Sequence, residues 1–223
     1  MGFLILLVLT VSVGAQERFQ LNDASKLVDV TIDVGTCDTV HGHCGPVSVQ
    51  LFRKRSKKPF QTIRLPWTIM WESPPPTNVT RLYDEQSILN FGDFNFDGHE
   101  DVAICDGDNG GYHATSYRIY LYSPSRKRFV YSRPFTKMND GGLGMFQTDK
   151  KKHVHFAFFK STCCWHQTQG FDVYHGRPRK IYEFTEDAAN PATMDTVEIT
   201  TSKLIKGKWR TWIKHAKVSE YYK

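Results

Sequence analysis

The 223-residue chain contains none of the short motifs that most directly indicate a hydrolase or a nucleotide-binding enzyme. It has no Gly-x-Ser-x-Gly nucleophile elbow, no phosphate-binding loop and no zinc-protease helix. A glycosidase needs two carboxylates that flank the scissile bond, and nothing in the sequence pairs Asp106, Asp108 or Asp140 in that way. We therefore expect that the protein is not an enzyme, and a carbohydrate-active enzyme is the weakest alternative.

A long apolar run is also missing. Residues 3–13 are largely apolar, but a helix that spans a bilayer needs about 20 such residues. Val13, Gly14 and Ala15 follow as a small-residue cleavage site, so we interpret residues 1–15 as a secretory signal peptide, although the first residues carry no Lys or Arg. A buried N-terminal strand is the alternative. The sequence thus predicts no membrane span, a periplasmic or secreted location, and a single β-rich domain over residues 16–223.

Acidic residues are outnumbered: 23 Asp and Glu stand against 29 Lys and Arg, which gives a net charge of +6. The cations are grouped in residues 53–58, 126–128 and 150–152. Basic clusters attract acidic partners and anionic polymers, although many are simply solvated turns. Export separates the protein from nucleic acid, so we expect an acidic protein partner and no nucleic acid.

Cysteine is scarce, and five cysteines in an exported chain suggest disulfides with one thiol left over. Cys37 and Cys44 flank a turn-like segment that a bridge between them could close. The adjacent Cys163 and Cys164 would point to opposite faces of a strand and would then need different partners, one candidate being Cys105. A vicinal disulfide is the alternative. The spacings of cysteine and histidine match no common zinc motif.

Alternation of apolar with polar or aromatic residues dominates the chain, and no long segment has a helical period. The alternating segments are residues 27–34, 47–52, 117–122, 153–159 and 171–174. A C-terminal hairpin is predicted from strands at residues 193–205 and 208–218 around Lys206 and Gly207. The predicted fold is all-β and antiparallel, either a sandwich or a propeller-like ring of short sheets in one domain.

Residues 93–101 have the spacing of a calcium-binding loop. The candidate ligands at positions 1, 3, 5, 7 and 9 are Asp93, Asn95, Asp97, the carbonyl of His99, and Asp101. Ca²⁺ takes 6–8 oxygen ligands, and Gly98 at position 6 permits the sharp bend that such a loop needs. Position 12 is Ile104 rather than the bidentate Glu of an EF-hand, and residues 101–105 read as a strand. We predict a calcium loop between strands; an ordinary Asp/Asn/Gly turn is the alternative.

A glycine-rich segment with aromatic side chains follows the loop. Gly110, Gly111 and Tyr112 precede Ser116 and Tyr117, and rigid aromatic side chains often dominate binding hot spots. Tyr112 stands among small residues and is the better candidate for partner contact. Tyr117 begins an alternating run and reads more simply as the start of a strand. Because Gly110 follows Asp101 by only nine positions, we expect the calcium loop to brace this contact segment.

The residues above carry a family resemblance. Residues 92–104 are similar to the calcium loop of FG-GAP modules. Together with residues 106–122, 145–146 and 161–166, they resemble a bacterial periplasmic family of immunity proteins. A named member of that family neutralises a lysozyme-like effector of a Xanthomonas type IV secretion system. The family is similar in shape to the periplasmic inhibitors of invertebrate-type lysozyme, and the resemblance covers roughly residues 85–185.

The resemblance implies a β-rich fold, bound Ca²⁺ and a protein partner. It marks the five ligand candidates of residues 93–101, and it implies that a loop with Ser, Gly and Tyr enters the cleft of the target. The nearest match here is Gly110, Gly111 and Tyr112 with Ser116 and Tyr117, in a different order. This chain lacks the lipid-attachment cysteine.

Taken together, the sequence predicts an extracytoplasmic calcium-binding protein that inhibits a lysozyme-like peptidoglycan hydrolase. The net charge of +6 favours an acidic hydrolase as the partner, since two basic surfaces associate slowly. An FG-GAP-like, calcium-dependent adhesion or surface-recognition module is the alternative function.

Overall fold

The structure is a computed structural model, and it describes residues 17–38, 40–70, 72–80, 82, 86–189 and 195–222. The predicted signal peptide at residues 1–15 and the predicted start of a strand at Thr193 lie outside these residues. Within them, fifteen strands pair in an antiparallel manner to form three sheets.

The first sheet follows the N-terminal part of the chain. Its strands are β1 (Glu17–Leu21), β2 (Val28–Cys37), β3 (His43–Arg53), β4 (Pro59–Leu65) and β5 (Thr68–Ile69). The strands β1 to β4 are neighbours in chain order, and β5 pairs with the beginning of β3. Alternation sets the inner face of this sheet, because Val30, Ile32 and Val34 are all at most 1% exposed while Asp29 and Thr31 are half-buried.

The second sheet carries both loops of interest. It contains β6 (Leu89–Gly92), β7 (Asp101–Gly107), β8 (Ser116–Ser123) and β9 (Arg128–Tyr131), again in chain order. The predicted calcium loop joins β6 to β7, and the glycine-rich segment joins β7 to β8. A short helix, α1 (Arg133–Met138), follows and buries Phe135 and Met138.

The third sheet is a six-stranded meander. Its strands are β10 (Gln147–Asp149), β11 (Val154–Ser161), β12 (Trp165–Tyr174), β13 (Arg177–Asp187), β14 (Thr196–Ile205) and β15 (Lys208–Lys217). A single helical turn, α2 (Val218–Tyr221), follows it. The first strands of this sheet reach the core, whereas β15 is exposed along nearly its whole length and carries Trp209, Trp212 and Ile213 at the surface.

All three sheets contribute to one hydrophobic core. Val49 and Leu51 of the first sheet, Ile104 of the second and Ala157 of the third belong to a single cluster of buried side chains. The predicted all-β antiparallel fold is confirmed, and the predicted strand at residues 101–105 lies within β7. No helix in the described ranges is long and apolar enough to cross a membrane.

The disulfides differ in part from the expectation. The bridge between Cys37 and Cys44 is confirmed, and it closes the turn between β2 and β3. The prediction that Cys163 and Cys164 take different partners is wrong, because residues 162–164 form the turn between β11 and β12 and the two sulfurs bond each other. Cys105 is not a disulfide partner: it is the free cysteine and is buried in β7.

Candidate functional site

The loop at residues 93–101 folds through side-chain oxygens that accept its own backbone N–H groups. The Asp93 carboxylate accepts the N–H groups of Asp97, at 3.0 Å, and Gly98, at 2.8 Å. Asn95 Oδ1 also accepts the Asp97 N–H, and Asp97 Oδ1 accepts the His99 N–H at 2.9 Å. Gly98 has φ of +85°, a left-handed conformation that glycine adopts without steric cost. The first three candidate ligands are therefore oriented by the loop that carries them.

The donor set of this loop fits a hard cation. An ionised carboxylate has about four lone-pair sites. Asp93 accepts two N–H groups, whereas Asp97 accepts the His99 N–H and the Asn95 amide and lies 3.1 Å from the His99 ring nitrogen, so each keeps a lone pair for a metal ion. Ca²⁺ prefers such oxygens, including amide and backbone carbonyl oxygens. No cluster of three or more His, Cys, Asp or Glu side chains suited to a metal ion occurs among the residues that the structure describes. A calcium ion here would rely on Asn95 and a backbone carbonyl besides carboxylates, and calcium binding stays a prediction.

Asp101 ties the loop to the sheet. Its carboxylate is fully buried and accepts the N–H groups of Phe94 and Tyr122, each at 2.8 Å. Burial raises the pKa of Asp101 to about 7 against the effect of these two hydrogen bonds, and the charges of Asp97 and Asp93 raise it further. A divalent cation near the three carboxylates would favour the ionised form instead. Asp101 thus has a structural role that is visible without metal, and its role as a ligand stays a prediction.

His155 supports the calcium loop, a role that the sequence did not predict. Its side chain is fully buried in β11, and Nε2 lies 2.7 Å from the carbonyl oxygen of Phe94. Since a carbonyl only accepts, Nε2 carries the proton, and Nδ1 accepts the hydroxyl of Thr148 at 3.0 Å. Phe96 stacks on the ring and Phe146 meets it edge-on. This desolvation lowers the pKa of His155 to about 4, so the ring is neutral at pH 7.

The glycine-rich segment, called the contact loop below (residues 108–116), is held by close backbone packing. The N–H of Gly110 donates to Ala114 O at 3.0 Å, and the N–H of Gly111 donates to the carbonyls of Gly141 and Gly142 at 3.1 Å. A Cβ at Gly110 would lie 2.5 Å from Gly142 O, so only glycine permits this approach. The two glycines therefore position the contact loop, and their contact with a partner stays a prediction.

Tyr112 projects from this loop. It lies in a 3₁₀ turn, Gly111–His113, with φ of 56° and ψ of 37°, and it is 60% exposed. Its hydroxyl donates to Thr162 O at 2.9 Å, and the Lys160 ammonium lies 5.5 Å from the centre of its ring. His113 also has a positive φ, of 59°. Two consecutive non-glycine residues in the left-handed region cost free energy, and such strain is concentrated at functional sites.

Ser116 and Tyr117 hold the end of the contact loop in place through hydrogen bonds. The Ser116 hydroxyl donates to Asp106 at 2.7 Å and accepts from the Asn109 amide at 3.1 Å. Tyr117 is only 6% exposed and donates its hydroxyl to Ser87 O at 2.7 Å. Burial raises the pKa of Tyr117 well above its usual range. Its side chain lies in the core, as the start of a strand would place it, and this position does not support a direct contact with a partner.

Two histidines hold Asp108 at the start of the contact loop, an arrangement that the sequence did not predict. His43 Nε2 and His113 Nδ1 both lie 3.3 Å from Asp108 Oδ2, and the Trp67 ring packs edge-on against His43. Burial acts to raise the pKa of Asp108, but hydrogen bonds, including those from His43 and His113, lower it further than burial raises it. Since His43 directly precedes Cys44, the disulfide hairpin is also part of this support.

A cavity of about 230 Å³ lies beneath the contact loop. Asp106 and Asp140 both line it, together with Asn109 and Ser116. Asp106 is ion-paired with Arg118 at 2.9 Å and hydrogen-bonded to Ser116, so its carboxylate holds the frame of the loop. The structure thus places on one cavity two of the carboxylates that the sequence left unpaired.

The two loops lie at opposite ends of β7. The strand spans seven residues, Asp101–Gly107, and at about 3.3 Å per residue it separates the loops by about 20 Å. Strand β11 links them as well, since His155 contacts the calcium loop and the turn after Ser161 contacts Tyr112. Proximity in sequence therefore does not mean direct packing, and any influence of the calcium loop on Tyr112 must pass along these strands.

No family model matches the chain, and no curated protein matches it. The structure is similar to that of a Xanthomonas type IV secretion system related protein, with a TM-score of 0.70. The similarity covers 90% of this chain and 95% of the other, at 19% sequence identity. A similarity at this level of identity establishes the shared fold.

Proposed function

We propose that this protein is an extracytoplasmic, calcium-stabilised binding protein that blocks a lysozyme-like peptidoglycan hydrolase and is not itself an enzyme. The observation that carries the proposal is Tyr112, an exposed aromatic residue on a strained and tightly supported loop. The shared fold with a protein related to a type IV secretion system supports it. The Cys37–Cys44 disulfide is typical of exported proteins.

The contact loop is preorganised for insertion into a cleft. Its backbone is fixed by Gly110 and Gly111 against residues 141–142, and its base is fixed by Asp108. A rigid loop loses little conformational entropy when it binds, and Tyr buries a large area with few rotatable bonds. Tyr112 is therefore the anchor that we expect to enter the target.

The net charge of the whole protein, with one lysine beside the anchor, favours an acidic target. Lys160 lies against the Tyr112 ring, and the protein as a whole carries a net charge of +6. Complementary charge raises the association rate and like charge lowers it, and both effects are screened by salt. We expect faster association with an acidic lysozyme-like hydrolase than with a basic one, and a difference that shrinks as salt is raised.

Calcium would be held by Asp93, Asn95 and Asp97, with the His99 carbonyl and Asp101 as the remaining candidates. When bound, the ion would neutralise the carboxylates and fix the turn. Two contacts connect the turn to neighbouring strands: Asp101 accepts the Tyr122 N–H of β8, and His155 of β11 donates to the carbonyl of Phe94 in the loop.

The test is inhibition of a lysozyme-like hydrolase by Tyr112→Ala beside Tyr174→Ala, a matched control at a tyrosine that is 52% exposed on the β12–β13 turn. Truncation of a hot-spot residue costs at least about 2 kcal/mol, or about 30-fold in affinity. We expect that loss for Tyr112→Ala and less than a threefold change for the control. Equal inhibition by both variants would contradict the assignment of Tyr112, and turnover of peptidoglycan by the protein itself would contradict the proposed class.

A further inference from the structure

Two basic clusters that are distant in the sequence meet at one end of the molecule. The Gln61 side chain donates to Phe129 O and accepts the Phe129 N–H, both at 2.8 Å. Phe60 and Phe129 also pack, with ring centres 6.3 Å apart. Because Phe60 follows the β3–β4 turn and Phe129 follows the β8–β9 turn, these contacts bring the two turns together. We call this surface the basic end: Arg53, Lys54, Arg55, Lys57, Lys58, Arg126, Lys127 and Arg128.

Few cations of the basic end form ion pairs, although the calcium loop, with Asp93 and Asp97, lies at the same end of the second sheet. All eight residues are exposed. Among the residues that the structure describes, the one ion pair made by this set joins Lys54 to Asp29 at 2.7 Å. Arg53 lies over the Phe60 ring instead of a carboxylate. Like charges held close together repel one another, and an anionic partner would relieve that repulsion.

We infer that the basic end binds the surface of an anionic phospholipid membrane. Each Lys or Arg close to an anionic bilayer contributes about a fivefold gain in binding, without requiring a fixed geometry. The cations sit on two turn tips, where Arg55 has φ of 67° and Lys127 φ of 51°, and their long side chains can reach separate headgroups. A membrane surface suits such a set better than a protein partner does, because protein hot spots need aromatic anchors.

Two exposed tryptophans lie on the last strand of the third sheet. Trp209 and Trp212 are on β15 and are three positions apart, so their side chains point to opposite faces of the sheet. They do not form one apolar face that a bilayer could take up. We therefore expect the basic end to bind mainly through charge, which makes the association reversible and sensitive to salt.

Binding at the basic end would leave the contact loop free. Strand β8 runs from Ser116, at the contact loop, to Ser123, at the basic turn. Its eight residues span about 25 Å at about 3.3 Å per residue. A protein attached by its basic end would therefore present Tyr112 away from the lipid. This inference goes beyond the proposed function, and either one stands if the other fails.

The test is co-sedimentation of the full chain with vesicles that contain 40% phosphatidylglycerol, beside vesicles of phosphatidylcholine alone, at low and high salt. One variant neutralises four residues of the basic end: Lys57→Gln, Lys58→Gln, Arg126→Gln and Lys127→Gln. The matched control removes the same charge from exposed sites on the last hairpin: Lys206→Gln, Lys208→Gln, Lys214→Gln and Lys217→Gln.

We expect binding to the anionic vesicles at low salt, and a loss of about two orders of magnitude or more for the basic-end variant at about fivefold per cation. The control should lose less than tenfold. Vesicle protection of Lys57, Lys58 and Lys127 from acetylation in the unaltered protein, without protection of Lys208, would support the same surface independently of any variant. Absence of binding, an equal loss in both variants, or binding to soluble polyphosphate but not to vesicles would overturn the inference.

Discussion

Acidification should destabilise the protein through His155. The ring is buried and neutral, with a pKa of about 4 in the folded protein against about 6.5 in an unfolded chain. Between these two values the unfolded chain binds a proton more readily than the folded protein does. The stabilisation is therefore complete above about pH 6.5 and is lost as the pH falls towards 4.

The magnitude follows from the two pKa values. Each pKa unit corresponds to about 1.4 kcal/mol, so the whole interval is worth about 3 kcal/mol, and about 2.5 kcal/mol of it falls between pH 7 and pH 4.5. That is a large part of the 5–15 kcal/mol that stabilises a typical domain. His155 is hydrogen-bonded to Phe94, which lies between Asp93 and Asn95, so this loss of stability should affect the calcium loop.

The assay is urea unfolding at a series of pH values for the unaltered protein, for His155→Gln and for His175→Asn, an exposed control. Other groups, including the buried carboxyl of Asp101, titrate in all three proteins and cancel in the differences. We expect the pH dependence to be weaker in His155→Gln by about 2.5 kcal/mol over this range and unchanged in His175→Asn. Parallel curves for the unaltered protein and His155→Gln would refute the reasoning.

Three further predictions concern single features of the structure. Gly110→Ala should lower the free energy of unfolding by about 1–3 kcal/mol, because its Cβ would meet Gly142 O at 2.5 Å; thermal unfolding measures this, and an unchanged midpoint would contradict the packing. Asp97→Ala should abolish the rise in unfolding temperature that Ca²⁺ gives the unaltered protein, and the absence of any such rise would exclude a calcium site there. Serine in place of both Cys37 and Cys44 should cost about 2–3 kcal/mol for a loop this short, measured by urea unfolding, and no cost would show that the bridge does not constrain the unfolded chain.

Alternation made most of the strands predictable. The segments at residues 27–34 and 47–52 lie within or beside β2 and β3, and the buried positions have the expected period. Pairing between distant strands was not predictable, because period 2 indicates which residues share a face but not which strand lies alongside. The meeting of β4 and β9 through Gln61 is one example, since a polar side chain carries no sign of a partner 68 positions away.

The site was predicted in composition but not in arrangement. Asp93, Asn95 and Asp97 form the expected turn because their spacing alone determines which N–H groups they can reach. His155 was missed, although its place in an alternating strand, two positions from the buried Ala157, puts it on the inner face. Short sequence separation suggested that the calcium loop braces the contact loop, but the strand between them holds the two loops apart, so any such support must act along the strand.

The cysteine pair at residues 163–164 shows the same limit. The expectation of separate partners assumed a strand, in which neighbouring side chains diverge. The chain turns there instead, with Thr162 at φ of 56°, and the two sulfurs come together. Cys163 and Cys164 are not typical turn residues, so the sequence did not predict a turn there. The turn at Lys206 and Gly207 in the last hairpin was predictable because glycine favours turns.

Titration of peptidoglycan hydrolysis tests the central claim most directly. A fixed amount of an acidic lysozyme-like hydrolase is mixed with increasing amounts of the protein in the presence of Ca²⁺, and the rate of cell-wall lysis is followed. The rate of lysis should fall to zero at one equivalent of the unaltered protein, whereas Tyr112→Ala should require a large excess. Full lysis with the protein in excess, or a complex that forms without loss of lysis, would contradict the central claim.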